Sequence, residues 1–257
     1  MDERLKISTH TKVKKLNFLR LATIALTAML IATPAKAQQM VWGTATNTSA
    51  AGDVATNGTY FDAALLQDPT PVPSMAGTTG NGGKPLTVNG VVFNIIAHGN
   101  VATDSCGDIT LTSNRNPLTA GAVNSDYDTL LTDNEYAQNT TQTIKLSNLT
   151  IGNTYQVQVW SVAVGGGAFV TDLNGSNTVA LNANPGQFAI GTFTATATTF
   201  SFTAVNDAAS VNKVNILNAI SVFDEGAKPA APPAKQPTAE PGTATAPEHP
   251  ASGSSPQ

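Results

Sequence analysis

Cysteine and histidine are scarce in this chain of 257 residues, which contains one cysteine and three histidines. Cys106 has no second thiol to pair with, so no disulfide can form within the chain. A lone thiol is either buried as a small apolar residue or free to pair with another chain. Between the terminal regions only His98 remains, and the chain has no Gly-x-Ser-x-Gly elbow. These absences argue against a zinc site and a serine–histidine triad, and we expect His98 at the surface or at a strand end.

Basic residues are also scarce once the first 37 residues are set aside. From Gln38 onward the chain has six basic and fifteen acidic residues, a formal net charge of −9. Binding to nucleic acid requires a basic face that neutralises phosphate groups. The charge therefore argues against nucleic acid, and against an anionic membrane surface, as a partner.

The N-terminal residues have the composition of an export signal. Residues 1–37 combine a basic lead-in, the twelve-residue apolar run LATIALTAMLIA (21–32) and the small-residue pair Ala35-x-Ala37. This pattern predicts a signal peptide that is cleaved between Ala37 and Gln38. The apolar run is shorter than the roughly 20 residues that span a bilayer. We therefore expect a mature protein that has no transmembrane segment and is secreted, periplasmic or attached to the cell surface.

The C-terminal residues differ from the middle of the chain in another way. Residues 226–257 hold eight of the fifteen prolines and contain no Ile, Leu, Val, Phe, Met, Trp or Tyr. Nothing in this segment can be buried to offset the entropy lost on ordering it. The sequence predicts a disordered tail rich in Pro, Ala and Ser, which leaves residues 38–225 as one folded domain.

Short apolar runs separated by turn residues predict that residues 38–225 form an all-β domain. Within LTVNGVVFNII (86–96), the pair Asn89-Gly90 is a strong signal for a two-residue hairpin turn. Residues 69–85 are predicted as a loop, and residues 125–137 as a short helical turn. The remaining strand predictions are 142–149, 154–164, 186–196, 198–205 and 213–223, with weaker candidates at 40–47 and 59–65.

Six stretches of the domain occur in an order that is familiar from one protein family. They are VWGTATNTSAAGDVATNGTYFDA (41–63), TVNGVVFN (87–94), YDTLL (127–131), IKLSNLTIGNTYQVQVW (144–160), GQFAIGTFTATATTFSF (186–202) and LNAISVF (217–223). Together they resemble the secreted jelly-roll, galactose-binding-like β-sandwich that is common in exported proteins of planctomycetes and related bacteria. The resemblance implies a single antiparallel β-sandwich of jelly-roll type in an extracellular setting.

The same resemblance implies no functional residue. The family has no established activity and no accepted active-site residues. After its Gln-x-Trp strand the family carries an arginine-containing segment, whereas this chain has SVAVGGGAFV at residues 161–170. Any ligand-binding role of that arginine therefore does not transfer to this chain.

The strand at 154–164 raises the question of a binding site. Its odd-numbered residues from 155 to 159 are apolar, and Gln156, Gln158 and Trp160 project from the opposite face. A tryptophan ring beside amide groups can bind a sugar, because the ring stacks on C–H faces and the amides pair with hydroxyls. Alternatively the whole stripe packs inside, since apolar residues continue it to residue 164. The sequence favours inward packing and keeps the sugar site as the second hypothesis.

Aspartates cluster in two segments and suggest a metal site. Asp104 and Asp108 lie in TDSCGD (103–108), which is predicted as a loop, and Asp126 and Asp128 lie in SDYDTLLTDNE (125–135). Oxygen-rich loops can hold calcium, which takes six to eight oxygen ligands. Aspartate is also common in turns because its side chain bonds the local backbone. The second explanation is favoured, structural calcium is the alternative, and no other cofactor is indicated.

Two functional hypotheses follow from these residues. The first is an exported, non-catalytic binding or surface-matrix module whose partner is an extracellular glycan or another surface component. The alternative is an extracellular hydrolase that acts on polysaccharide through two paired carboxylates. The single-domain length and the lack of a histidine constellation favour the first hypothesis, so no catalytic residue is assigned.

Overall fold

The computed structural model describes residues 38–66, 84–96, 103–113, 115–118, 125–132, 134–163, 168–208, 210 and 213–227. The predicted signal peptide, the tail beyond residue 227, most of the predicted loop at 69–85 and His98 lie outside these residues. The described part contains a 3-10 turn at Ala51–Asp53 and the helix α1 at Asp126–Thr132. Its strands are Val41–Trp42 (β1), Thr46–Asn47 (β2), Thr59–Leu66 (β3), Leu86–Val88 (β4), Val91–Ile96 (β5), Thr103–Cys106 (β6), Ile109–Thr112 (β7), Arg115–Leu118 (β8), Asn134–Gln138 (β9), Gln142–Leu146 (β10), Asn153–Ser161 (β11), Val170–Leu173 (β12), Val179–Asn182 (β13), Gln187–Thr194 (β14), Phe200–Asn206 (β15), Val214–Leu217 (β16) and Ala219–Ala227 (β17).

These strands form three sheets. The large sheet has the order β1-β14-β11-β17-β3-β5-β4, with β2 also beside β14. The opposite sheet has the order β13-β12-β15-β10-β7-β6, and a small sheet has the order β16-β9-β8. Neighbouring strands are antiparallel, except that β3 and β5 are parallel. The predicted all-β sandwich is confirmed.

The main core lies between the large sheet and the opposite sheet. Tyr155, Val157 and Val159 of β11 are completely buried in it, as the alternation of the sequence predicts. The ring of Tyr155 stacks on Phe193 with 5.4 Å between the centroids. Its hydroxyl accepts a hydrogen bond of 2.8 Å from the backbone N–H of Thr150, which closes the corner before β11.

The central part of the other face of the large sheet is buried as well. It is covered by residues 49–55 and by α1, here together called the cap. Val54 of the cap and Leu130 of α1 pack with Leu65, Phe93 and the rest of a second apolar cluster on this face. Because both faces are covered, every residue of β11 from Tyr155 to Ser161 is buried.

The structure differs from the sequence prediction at several segments. The single strand predicted at 213–223 is divided at Asn218 into β16 of the small sheet and β17 of the large sheet, and residues 226–227, which were assigned to the tail, are the last residues of β17. The predicted helical turn at 125–137 is a helix only over Asp126–Thr132, and the chain then enters β9. The segment TDSCGD at 103–108 was expected to be a loop, which is wrong, because residues 103–106 pair with 109–112 as a hairpin. Gly107, at a φ of +53°, makes this tight turn possible.

The Asn89-Gly90 hairpin is confirmed, with positive φ at both residues. The weak candidate at 59–65 is the long strand β3, which lies beside β17. In the described ranges, none of the helical structure has the length and apolar character needed to cross a bilayer.

Candidate functional site

The stripe of Gln156, Gln158 and Trp160 lies inside the protein. The exposed fractions of these side chains are 6%, 1% and 0%. All three project from β11 away from the main core, where Gln158 bonds to the cap and Trp160 packs in the second cluster. The Trp160 ring contacts Phe93 and Phe188, with centroid distances of 5.8 and 6.3 Å. In this arrangement a sugar reaches the stripe only if the cap is displaced.

Gln158 binds the backbone of the cap with both ends of its amide. Its Oε1 accepts a hydrogen bond of 2.9 Å from the N–H of Ala55, and its Nε2 donates one of 2.8 Å to the carbonyl oxygen of Asp53. Between these two residues, Val54 is inserted into the second cluster with 1% exposure. Its carbonyl oxygen accepts a hydrogen bond from Nδ2 of Asn89. The side chain of Gln158 therefore holds residues 53–55 on the sheet.

The two parts of the cap are joined by Asp53 and Tyr127. The Tyr127 hydroxyl of α1 donates a hydrogen bond of 2.7 Å to Oδ2 of Asp53. Burial raises the pKa of Asp53, but hydrogen bonds from Tyr127 and from the backbone of Ser49 and Ala50 outweigh it and leave the pKa below its ordinary value. Burial and the adjacent Asp53 raise the pKa of Tyr127. The Asp53 carboxylate thus stays charged, and its hydrogen bonds join residues 49–50 of the cap to α1.

The other two polar side chains of the stripe, Gln156 and Trp160, each have an N–H group without a hydrogen-bond acceptor within the described structure. Nε2 of Gln156 and Nε1 of Trp160 are buried and have no hydrogen-bond partner among the described residues. A buried donor without a partner costs about 1–3 kcal/mol of stability. Burial of the Trp160 ring offsets this cost through contact with its aromatic neighbours.

The four predicted calcium ligands lie in two separate places. Asp104 is in β6 and Asp108 in the turn after it, while Asp126 and Asp128 are in the first turn of α1. Asp126 accepts a hydrogen bond from the backbone N–H of Thr87, and Asp128 accepts one from the Ser125 hydroxyl. In the described part of the chain, no three His, Cys, Asp or Glu residues are grouped so that they could hold a metal. Asp126 and Asp128 therefore bind neighbouring backbone and hydroxyl groups.

Asp62 is a buried carboxylate that the sequence analysis did not identify. Its exposed fraction is 6%, and it accepts hydrogen bonds from the backbone N–H groups of Ala63 at 2.9 Å and Asp108 at 2.7 Å. Burial raises the pKa of Asp62, and the charge of Asp108 adds to this rise. The only signal in the sequence was a single acid within the apolar run TYFDAALL at residues 59–66.

The surroundings of Asp62 suit a structural role better than catalysis. The register between β3 and β17 skips Phe61, and this bulge directs Asp62 to the turn between β6 and β7. Burial, followed by the charge of Asp62, raises the pKa of Cys106 to about 11, so the thiol is protonated near neutral pH. Paired-acid hydrolysis needs two carboxyl groups that flank a sugar cleft, whereas the Asp62 carboxylate is occupied by the hairpin turn.

The outer face of the opposite sheet is a regular polar surface. Inward residues such as Leu111, Ile144 and Phe202 alternate with outward hydroxyl residues. Strand register places the outward residues in two rows that each cross four neighbouring strands. The first row is Thr103, Thr112, Thr143 and Thr203, and the second is Ser105, Thr110, Lys145 and Ser201.

These eight residues, here called the hydroxyl face, all have polar side chains that reach the surface. All are exposed or half-exposed. The hydroxyls of Thr103 and Thr112 are 3.0 Å apart. Neighbours within a row are separated by about 4.8 Å, the distance between paired strands, and the two rows by about 7 Å. The two rows contain seven hydroxyls, one ammonium group and no carboxylate, although residues 38–257 are acidic overall.

No family model and no curated protein matches this chain. The resemblance to galactose-binding-like domains therefore stays a prediction. Any ligand must be inferred from the surfaces described above, of which the hydroxyl face is exposed and the Gln156–Trp160 stripe is not.

Proposed function

We propose that this protein is an exported, non-catalytic binding module that attaches to a neutral extracellular polysaccharide through the hydroxyl face. The observation that carries this proposal is the pair of hydroxyl rows, each continuous over four strands. The surface is open, so it suits an extended polymer better than a small molecule, which is usually enclosed in a pocket.

The chemistry of the hydroxyl face matches that of a neutral glycan. Each Ser or Thr hydroxyl donates one hydrogen bond and accepts others, as sugar hydroxyls do. Threonine methyl groups add apolar contact for the C–H faces of sugar rings. The face has no carboxylate that would have to be desolvated without a partner, and its one charged group is the exposed ammonium of Lys145.

The alternative hypothesis of a polysaccharide hydrolase has weaker support. It requires an exposed acid and a second carboxylate on either side of a bound sugar. Asp62 and Asp108 lie close together, but Asp62 is buried against the hairpin turn. We therefore base the functional proposal on binding alone.

Binding to insoluble neutral polysaccharides, such as cellulose, chitin and cross-linked dextran, tests this proposal. The double substitution Thr103→Val and Thr112→Val removes two adjacent hydroxyls and keeps the shape and strand preference of the side chains. Two lost hydrogen bonds, at about 0.5–1.5 kcal/mol each, should weaken binding by about 5- to 150-fold in a depletion assay.

The chain offers a matched control for this experiment. Thr154 and Thr194 form a cross-strand pair on the large sheet, with 3.4 Å between their hydroxyls. Thr154→Val with Thr194→Val makes the same chemical change away from the hydroxyl face and should leave binding unchanged. The proposal is wrong if no neutral polysaccharide binds, or if both double variants bind as the original protein does.

A further inference from the structure

Residues 38–47, here called the arm, close one open side of the sandwich. β1 and β2 of the arm pair with β14 at the edge of the large sheet. From the other side, the arm contacts the turn at 174–178 between β12 and β13 of the opposite sheet. The arm therefore lies in a groove to which both sheets contribute.

This groove binds the main chain of the arm. Asn177 accepts a hydrogen bond from the N–H of Trp42 and donates one to its carbonyl oxygen, both at 2.8 Å. The backbone N–H and the hydroxyl of Ser176 both donate to the carbonyl oxygen of Met40. The N–H of Gly43 donates to Ile190 of β14 at 2.8 Å. Backbone pairing of this kind is how proteins bind an added β-strand.

Two side chains anchor the arm in the groove. Met40 and Trp42 are 0% and 4% exposed, and the Trp42 ring meets Phe202 edge-on at 5.4 Å. Gly191 of β14 provides the space, because a Cβ atom there would lie 2.5 Å from Trp42 and 2.7 Å from the sulfur of Met40. The groove is thus shaped for these two anchors.

The N-terminal end of the arm is packed less tightly than its anchors. An open depression of about 240 Å³ lies beside residues 38–40 and extends along Phe200 and Phe202. The arm is joined to the body of the domain only after residue 47, through the cap. Lifting it breaks no strand pairing among β3 to β17, but it uncovers the part of the main core that Met40 and Trp42 fill.

We propose that the arm of one copy binds in the groove of a second copy, so that the protein forms arm-exchanged dimers. Every contact that the arm makes in the groove would be kept, since the occupant is an identical segment. Trp42 is 135 residues before Asn177, so the arm exists long before its own groove is complete. In that interval the free arm can enter the completed groove of a neighbouring copy. This inference concerns assembly and is independent of polysaccharide binding.

Disulfide trapping between two differently tagged chains tests the exchange. Val41 of the arm and Thr192 of β14 are directly paired, and Val41 is 55% exposed. One chain carries Val41→Cys and the other Thr192→Cys, and both carry Cys106→Ala so that no other thiol is present. The chains are refolded together from urea at several protein concentrations, oxidised, and separated on a non-reducing gel.

Exchange predicts a mixed disulfide dimer whose yield rises with protein concentration. A control mixture of Thr154→Cys and Thr194→Cys chains joins β11 and β14, which both belong to the body of the domain, and should give at least fivefold less dimer. A single chain with both Val41→Cys and Thr192→Cys shows that the pair can bond. If that chain forms its internal disulfide while the mixture gives no more dimer than the control, the arm does not exchange.

Discussion

The two glutamines of β11 provide a sharp test of how the cap is held. We expect Gln158→Met to destabilise the protein by about 2–3 kcal/mol, because two hydrogen bonds to the cap are lost and the backbone groups of Asp53 and Ala55 are left without partners. Gln156→Met removes an amide nitrogen that already lacks a partner. That variant should be as stable as the original protein or more stable by up to about 1 kcal/mol.

Urea unfolding followed by tryptophan fluorescence measures both changes. Because methionine has nearly the length of glutamine, the two variants differ mainly in the hydrogen bonds removed. The dependence of the free energy of unfolding on urea should be similar in all three proteins, which makes the midpoints comparable. Equal losses of stability in the two variants would refute the assigned role of Gln158.

Two further predictions concern Tyr127 and Cys106. At pH 7, Tyr127→Phe should cost about 1–2 kcal/mol, since it removes a hydrogen bond to the charged Asp53. Asp53 has a lowered pKa in the folded protein, so its stabilisation is complete above its unfolded value of 3.8 and disappears as the pH falls through the folded value. Urea titrations at pH 7 and 2.5 should therefore show the deficit shrinking at the lower pH, and an equal deficit would contradict this pairing. Cys106, with a pKa of about 11, should react with a disulfide reagent at pH 8 at least tenfold faster in urea than when folded, and equal rates would show that the thiol is accessible.

Local patterns in the sequence were sufficient to predict the main core. The alternation in residues 154–160 identified Tyr155 as a buried residue, and Asn89-Gly90 identified a hairpin. Both signals depend only on neighbouring residues. The hairpin of β6 and β7 was missed because its strands are four residues long and its aspartates resemble those of a loop.

Features formed by distant segments could not be predicted in this way. The cap covers Gln158 with residues that precede it by more than 100 positions, and no local pattern records that pairing. The alternating threonines of ITLT (109–112) were visible in the sequence. Their place in a surface that crosses four strands became clear only when β7, β10 and β15 were seen as neighbours.

The position of β17 in the large sheet decides when that sheet can be completed during folding. β17 lies between β11 and β3, and its residues 219–224 pair with residues 59–65 near the start of the domain. β11 and β3 cannot be joined in one sheet until β17, the last strand in the chain, has been synthesised. The large sheet therefore stays in two parts until almost the whole domain has been made. Pairing between such distant segments also makes folding slow.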